Sequence, residues 1–451
     1  MTLSKWPDRV TIWRWHFYAG LLCIPFVMWL AATGSIYLFK PQIDSLLDRP
    51  YAHLSISGPA AAPSAQVAAA LAAVPGAALS QYVLPRSEHS AVQILVGHEQ
   101  DLKRVYVHPA TLQILHIANE DDRLPNLIFH LHGELLAGDR GSMVVETAAS
   151  WAIVMLVTGL FLWWPQQSNG LAGVVFPRWS RTGRLFWRDL HAVTGFWVSF
   201  FALFLLISGL PWATSWGGLL KGVRQWSEST SIHQDWTTGR SSELQQRKLA
   251  TTAPDEHADH HPGGAASVID YKQIDGLVPL VAAAGLEPPV LITPPSAISP
   301  TWMSKSDTQN RPLRVELTLD GEDARVLSRQ NFQQLPLLDR VIGIGIAAHE
   351  GQLFAPLNQL LGLFTAVSLW LVCISAIVMW WRRRPQGVLG APPRPASAPW
   401  SIGVTGLTAL LALLLPMLGV TLLLVLALEW AFLRRWPAAR QFLGLSGPVL
   451  S

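Results

Sequence analysis

The sequence predicts a membrane α-helical bundle of about six transmembrane helices, with a two-fold internal repeat and two α+β domains outside the membrane. Three features predict it: long uncharged runs, histidines that recur at a fixed spacing, and strand-like segments between the runs. Half of the 451 residues are hydrophobic and only 14% are charged, which is unlike the composition of a soluble enzyme. The net charge of +3 is too small to indicate nucleic-acid binding.

Four stretches contain no Asp, Glu, Lys or Arg and exceed the roughly 20 residues that cross a bilayer as a helix. They are Trp15–Phe39, Thr147–Pro177, Leu190–Leu220 and Gly351–Trp381. A fifth uncharged stretch, Pro395–Leu428, is interrupted by Pro416 and Gly419. It is interpreted as a hairpin of two short crossings, with one long tilted helix as the alternative. The first stretch is longer than a typical signal core, so we expect it to be retained.

Basic residues predict the orientation of the bundle. If the chain crosses the membrane six times, four clusters of basic residues lie on the same side of it. They come before the first span, in the second connection, after the fourth span and near the C-terminus. These clusters are Lys5, Arg9 and Arg14; Arg178, Arg181, Arg184 and Arg188; Arg382, Arg383, Arg384 and Arg394; and Arg434, Arg435 and Arg440. That side is predicted to be cytoplasmic, with both termini inside and the two long connections outside.

These features divide the chain into consecutive segments. The predicted transmembrane segments are 1–40, 129–165, 186–217 and 341–384, followed by a hairpin at 398–436, and the second and fourth carry candidate ligands. Cytoplasmic loops are expected at 166–185 and 385–397, and a tail at 437–451. The outer α+β domains are predicted at 41–128 and 218–340. Each holds a helix-like segment, "PSAQVAAALAAVPGA" or "DYKQIDGLVPLVAAAGL", followed by alternating stretches that favour hairpins at Pro109-Ala110 and Asp320-Gly321.

The spans repeat. "HFYAGLLCIPFVMWLAATG" and "HAVTGFWVSFFALFLLISG" each place glycine four and eighteen residues after the first histidine. In the other two spans, His132 precedes Trp163 by 31 residues, and His349 precedes Trp380 by the same 31. The unit of span, outer domain and span therefore occurs twice in the same order, which places equivalent positions opposite each other across the bundle.

The repeat pairs His16 with His191 near the predicted cytoplasmic face, and His132 with His349 near the outer face. Ionisable groups at membrane depth are costly and are functional by default, although a single histidine at a membrane edge is more often an interfacial hydrogen-bonding residue. Two facing imidazoles in an apolar bundle are suited to axial ligation of haem iron. His130 has no partner in the repeat and ranks below His132, but a swap of ligand between them stays open.

Neighbouring residues fit this interpretation. Gly20 and Gly195, one turn after the inner histidines, would leave room for a flat ring. Arg14 and Arg188, close before those histidines, could meet the haem propionates. The sequence thus predicts two haems, one near each face.

Other candidates are weaker. His257, His260 and His261 in "DEHADHHPGG" could capture a metal, but such a cluster is more often solvated loop. Cys23 and Cys373 lie inside apolar runs, which argues against disulfide or thiol chemistry. The sequence has no phosphate-binding loop, dinucleotide fingerprint or nucleophile elbow.

The motifs "LHGELLAGDRG", "TGLFLWWP", "HEGQLFAPLNQLLGL" and "WWRRRP", with the opening "WRWHFYAGLLCIPFVMWLAATGSIYLF", resemble those of the PepSY-associated transmembrane proteins, also called iron-regulated membrane proteins. The resemblance covers nearly the whole chain and implies PepSY-like outer domains in the periplasm of a bacterial inner-membrane protein. Within the family, the chain resembles the FoxB-type siderophore reductases. That likeness implies two b-type haems on His16, His132, His191 and His349, and reduction of a ferric siderophore with release of Fe(II).

Alternatives stay open at this point. A transporter or permease for the iron chelate would line a path with polar residues, whereas these spans are apolar between their ends. A PepSY-type periplasmic binding or regulatory module without redox activity would leave the histidine spacing unexplained. The acceptor could also be a redox protein or copper, and the donor either a soluble protein or a quinol. Outer residues that could contact substrate include Trp226, Trp236, Trp302, Lys103 and Arg104, with no basis for choosing among them.

Overall fold

The computed structural model describes residues 8–97, 102–164, 170–227, 269–296, 299–392 and 402–445. These residues form thirteen α-helices: α1 (Arg9–Tyr37), α2 (Lys40–Asp48), α3 (Pro63–Ala73), α4 (Leu124–Glu134), α5 (Gly138–Trp163), α6 (Gly183–Gly209), α7 (Thr214–Ser227), α8 (Ile274–Ala283), α9 (Leu337–His349), α10 (Leu357–Arg383), α11 (Ile402–Leu414), α12 (Pro416–Ala431) and α13 (Pro437–Phe442). They also form eight strands: β1 (Leu79–Val83), β2 (Val92–Val96), β3 (Lys103–Val107), β4 (Ile114–Asn119), β5 (Val290–Thr293), β6 (Trp302–Ser306), β7 (Val315–Asp320) and β8 (Arg325–Asn331).

The chain divides into two compact units. The first draws on Met1–Ile36, His130–His233 and Leu360–Ser451, and the second on Tyr37–Phe129 and Gln234–Gln359, within the described residues of each range. The first unit holds nearly all of the long apolar helices, and the second holds the sheet. A membrane protein with an α+β domain, as predicted, is therefore confirmed.

Four helices are long and apolar enough to cross a membrane: Arg9–Tyr37, Gly138–Trp163, Gly183–Trp212 and Leu357–Arg383. Each contains most of one predicted span. Many of their large apolar side chains are exposed, including Phe200 at 75% and Trp381 at 72%. Exposed apolar side chains on helices of this length are suited to contact with lipid tails.

The C-terminal uncharged stretch breaks at Pro416, the first residue of α12, as the proline in the sequence predicts. Helices α11 and α12 are 13 and 16 residues long and pack against each other. A β-carbon on Gly419 would lie 2.7 Å from the Ala412 carbonyl oxygen, so glycine allows their close approach. Both helices are shorter than the four spans, and two full crossings stay a prediction.

The second unit is built on one antiparallel sheet with strand order β4-β3-β2-β1-β5-β6-β7-β8. The predicted hairpins at Pro109-Ala110 and Asp320-Gly321 are confirmed, since β3 pairs with β4 and β7 pairs with β8. The sequence predicts two separate domains, whereas β1 and β5 pair antiparallel and join the two halves into one sheet. Backbone hydrogen bonds between the halves therefore replace the expected boundary.

Helices α3 and α8 supply the core of the sheet unit. Val67 of α3 and Leu277 of α8 pack in one buried cluster with side chains of both halves of the sheet. Trp302, a candidate for substrate contact, is only 1% exposed and donates from Nε1 to Gln273 Oε1 at 2.7 Å, so that candidate is wrong. Trp236 and the side chain of Trp226 lie outside the described residues.

An ion-pair network lies at the β3–β4 side of the sheet. Arg123, 9% exposed, contacts Asp44 at 3.0 Å and Asp48 at 3.2 Å, and it donates to the Tyr106 hydroxyl at 2.5 Å. Arg104, another substrate-contact candidate, binds Glu120 through two bonds of 2.7 Å. Its guanidinium is therefore engaged in a structural pair.

Candidate functional site

The inner histidine pair is formed within the first unit. His16 of α1 and His191 of α6 have ring centroids 6.3 Å apart and ring planes at 80°. Both line one cavity of about 1400 Å³ enclosed by α1, α5, α6 and α10. That volume exceeds the roughly 300–1,000 Å³ of most small-molecule sites. The repeat in the sequence thus correctly predicts that these two imidazoles lie together.

Each ring is held through Nδ1 by a neighbouring helix. His16 Nδ1 lies 3.1 Å from the Met155 carbonyl oxygen and 3.2 Å from Thr158 Oγ1. The same atom of His191 lies 3.1 Å from the Val372 carbonyl oxygen and 3.3 Å from Ser375 Oγ. Met155 precedes Trp163 by eight residues, as Val372 precedes Trp380, so the two sets of contacts use matching positions.

These contacts assign the tautomer. The Thr158 hydroxyl donates to the Val154 carbonyl at 2.8 Å, and the Ser375 hydroxyl donates to the Val372 carbonyl at 2.8 Å. Because both hydroxyl protons are used, each hydroxyl oxygen accepts from a protonated Nδ1. The Nε2 atoms then carry the lone pairs, and they make no hydrogen bond to any described residue. An imidazole oriented in this way by its other nitrogen is the usual arrangement of a metal ligand.

Glycines keep the space around the rings clear. A β-carbon on Gly195 would meet nothing within 4 Å, and one on Gly20 would meet only Met155 Sδ at 3.9 Å. Both glycines line the cavity, and their role in leaving room for a flat ring stays a prediction. A β-carbon on Gly159 would lie 3.1 Å from His16 Cε1, a close approach that the sequence analysis missed.

The two predicted arginines are placed differently. Arg188 lines the cavity and donates to Asp189 Oδ1 at 2.9 Å. Arg14 is not among the lining residues. It is 7% exposed and donates to the carbonyls of Pro392 and Gly444, which joins the start of α1 to the C-terminal segment.

Further arginines, used in the sequence analysis only for orientation, line the same cavity: Arg9, Arg178, Arg184, Arg382 and Arg383. Arg178 makes two bonds of 2.6 Å to Asp189. The concentration of positive charge at this end of an apolar cavity favours a ligand with anionic groups at one edge.

His132 shows the same local arrangement in the first unit. Its Nδ1 lies 2.9 Å from Thr33 Oγ1, and it hydrogen-bonds the backbone of Leu30. The Thr33 hydroxyl donates to the Trp29 carbonyl at 2.9 Å. A β-carbon on Gly34 would come within 3.2 Å of His132 Cε1. A hydroxyl followed by glycine therefore contacts this ring, as Thr158 and Gly159 contact His16.

The remaining histidines differ in their placement. His130 Nδ1 lies 3.2 Å from Glu134 Oε2, one helical turn later in α4, so this nitrogen is directed at a carboxylate. His349 is the last residue of α9 and belongs to the second unit, so its pairing with His132 stays a prediction. His257, His260 and His261 lie outside the described residues.

The separation of the His16 and His191 rings is compatible with axial ligation of one haem iron. Two imidazoles that bind one metal through Nε2, with bonds of about 2 Å, would have ring centroids roughly 6 Å apart. The observed 6.3 Å matches this separation. No group of three or more His, Cys, Asp and Glu side chains able to hold a metal occurs among the described residues. Two imidazoles supply a single pair of ligands, as axial ligation of a haem iron requires.

The chain is thus a helical membrane protein that carries an α+β domain and an imidazole pair among its apolar helices. The chain belongs to the family described as the PepSY-associated TM region, whose model matches residues 13–383. A search of curated proteins finds no match to the chain.

Proposed function

We propose that this protein is a di-haem b oxidoreductase of the bacterial inner membrane. It passes electrons from the cytoplasmic side to a ferric siderophore in the periplasm, and Fe(II) is released for iron acquisition. The observation that carries this proposal is the pair of oriented imidazoles, 6.3 Å apart, in the apolar cavity. Membership of an iron-regulated membrane family agrees with such a role.

The inner haem would be held by His16 and His191 through Nε2. Thr158, Ser375 and two backbone carbonyls keep Nδ1 protonated and fix the plane of each ring. Gly20 and Gly195 leave the flanks of the rings open. Arg188 and the other lining arginines suit the propionates, whereas the contacts of Arg14 support the C-terminal segment instead.

The outer haem would be held by His132 and His349. His132 meets this requirement within its own unit, since Thr33 and the backbone of Leu30 orient its ring. In the third span, Ser208 occupies the position that Thr33 occupies in the first, one residue before a glycine. The two-fold repeat accounts for this match and for the common spacing to Trp163 and Trp380.

When bound, haem supplies one-electron transfer at a potential set by ligands, burial and charge. Hard hydroxamate or catecholate oxygens hold Fe(III) tightly and the softer Fe(II) far less well. Reduction by one electron is therefore enough to release the metal. Apolar side chains form most of the cavity lining, and the chain's arginines concentrate positive charge at one end of it.

The proposal includes a topology of six crossings. Both termini and the arginine-rich loops lie in the cytoplasm, and the sheet unit lies in the periplasm with PepSY-like halves. Helices α11 and α12 form the C-terminal hairpin. The four long apolar helices and the basic ends of α1 and α10 support this arrangement.

The activity is tested with protein reconstituted in liposomes under anaerobic conditions. Dithionite-reduced protein, freed of excess reductant, is mixed with a ferric hydroxamate, and Fe(II) is trapped with a coloured chelator. For the wild type we expect close to one Fe(II) per haem. The variant that combines His16→Ala with His132→Ala should lose the reaction. Haem that stays reduced in the presence of the ferric chelate would contradict siderophore reduction, although not haem binding.

A further inference from the structure

A second, smaller cavity of about 240 Å³ lies where α1 begins and α10 ends. Its walls include Trp13, Val388, Phe442 and Gly444, with Arg383 and Gln441 as the polar side chains. It therefore combines aromatic and aliphatic surface with two hydrogen-bond donors. All of these residues belong to the first unit.

The walls of this cavity are fixed by specific contacts. The Arg383 guanidinium lies 4.9 Å from the ring centroid of Trp13 and donates to the Gly390 carbonyl at 2.9 Å. Tyr18 donates to the Leu443 carbonyl at 2.5 Å. Arg14, also in α1, donates to the Gly444 carbonyl at 3.0 Å. These bonds hold the C-terminal segment against α1, so the cavity is part of the folded bundle.

The small cavity adjoins the large one. Trp13 and Arg383 line both, so a single layer of side chains separates the small cavity from the one that contains His16 and His191. A ligand in the small cavity would lie beside the proposed redox site. This continuity distinguishes it from an isolated surface depression.

The chemistry of the walls selects the ligand. The cavity is smaller than the roughly 300–1,000 Å³ of sites for drug-sized molecules, which suits a single-ring head group better than a flavin or a dinucleotide. The sequence also lacks the glycine-rich loop that a dinucleotide would need. The Gln441 amide makes no hydrogen bond to any described residue, and with Arg383 it can bind the two oxygens of a flat ring. The cavity lies at the start of α1 and the end of α10. A lipid-soluble molecule can reach this position through the bilayer.

We propose that this small cavity binds the head group of a membrane hydroquinone, which is the electron donor. The inference rests on the proposed function. Oxidation of a hydroquinone to the quinone breaks two O–H bonds and releases two electrons and two protons. The protons leave to water at the cytoplasmic ends of the helices, and the two electrons reduce two ferric chelates in successive one-electron steps.

The test uses full-length protein in liposomes and compares two reductants, a short-chain ubiquinol and dithionite. Val388→Trp fills the cavity, Val388→Ala leaves it open, and Leu413→Trp adds the same ring at a side chain that is 77% exposed elsewhere in the unit. We expect ubiquinol to reduce the haem of the wild type and both controls, and to act about tenfold or more slowly on Val388→Trp. Dithionite should reduce all four proteins equally.

Equal rates with ubiquinol in Val388→Trp and wild type would overturn the inference. The inference would also be overturned if the haem is reduced by dithionite and by the reduced form of flavin mononucleotide, but not by ubiquinol. The electron donor would then be soluble. A photoreactive azidoquinone applied to His16→Ala gives an independent result. Label on peptides 383–392 or 437–445, displaced by excess ubiquinone, supports the site even if the protein lacks haem, and label elsewhere contradicts it.

Discussion

The hydroxyl of Thr158 lies 3.2 Å from Nδ1 of His16, and it accepts because its own proton is donated to Val154. Ser375 stands in the same relation to His191, and Thr33 to His132. Three histidines in apolar helices are thus oriented by a hydroxyl and a backbone group. A buried imidazole that only filled space would not need the same two partners three times.

Removing one of these hydroxyls should change the electronic properties of the ligand while leaving it in place. In Thr158→Val, His16 keeps the Met155 carbonyl but loses one acceptor, so its Nε2 becomes a weaker donor to iron. We expect the midpoint potential of one haem to rise by a few tens of mV, the size that a hydrogen bond of about 1 kcal/mol allows. Redox titration of the absorption spectrum measures it.

Thr421→Val is the matched control for that substitution. Thr421 accepts a hydrogen bond from Trp151 Nε1 at 3.0 Å and does not line the cavity of His16 and His191. Its removal should leave both potentials unchanged. Equal shifts of the midpoint potential in the two variants, or no shift in Thr158→Val, would show that the Thr158 hydroxyl does not tune the haem.

We expect the free space beside the His16 ring to be as important for haem binding as the hydrogen bonds of that ring. A β-carbon on Gly159 would lie 3.1 Å from the ring, so Gly159→Val should push the imidazole out of position and lower haem content by about one per chain. Gly218→Val in α7, where a β-carbon meets nothing within 4 Å, is the control. The haem-to-protein ratio after purification decides the result. Full occupancy in Gly159→Val would contradict the assigned position of the ring.

His130 and His132 should differ in effect. His132 is oriented by Thr33, whereas His130 Nδ1 is directed at Glu134. We expect His130→Ala to retain both haems and His132→Ala to lose one, as measured by pyridine haemochrome content. The opposite result would assign ligation to His130.

Stability of the sheet unit should depend on pH through Asp44. Burial alone would raise the pKa of Asp44, but Lys40 and Arg123 outweigh burial, and the pKa lies below its usual 3.8. The pKa of Glu120 is likewise held below 4.5, because Arg104 outweighs burial. A lowered folded-state pKa stabilises the fold above the unfolded pKa, and this contribution is lost as pH falls through the folded value. Thermal unfolding temperature should therefore fall as pH drops below about 4.5.

Arg123→Met tests the source of that dependence. At neutral pH it removes the cationic partner of Asp48 and one of the two cationic partners of Asp44, which keeps Lys40. We expect a loss of about 2 kcal/mol of unfolding free energy and a flatter acid dependence. Arg325→Gln is the control, since Arg325 is 63% exposed in its ion pair with Asp320. Unchanged acid dependence in Arg123→Met would place the titrating groups elsewhere.

The four long apolar helices could be predicted from the sequence, because lipid requires long apolar runs, and so could the proximity of His16 and His191. The pairing of β1 with β5, which joins the two halves into one sheet, could not be predicted. Strand β5 has only four residues and β6 is polar in "WMSKS", so neither shows clear alternation, and their pairing depends on contacts distant in the chain. The role of Thr158 was also missed, although a hydroxyl before a glycine in an apolar span is a usable signal. The contacts of Arg14 with the Pro392 and Gly444 carbonyls could not be predicted either, because proximity in sequence does not fix the direction of a long side chain.

We propose that these histidines hold haem in two separate places. The direct measurement is the reduced-minus-oxidised spectrum and the haem-to-protein ratio of purified protein, compared with His16→Ala and His132→Ala. We expect about two b-type haems per chain, with each variant losing a different one. A colourless protein from haem-replete cells, or the loss of the same haem in both variants, would contradict it.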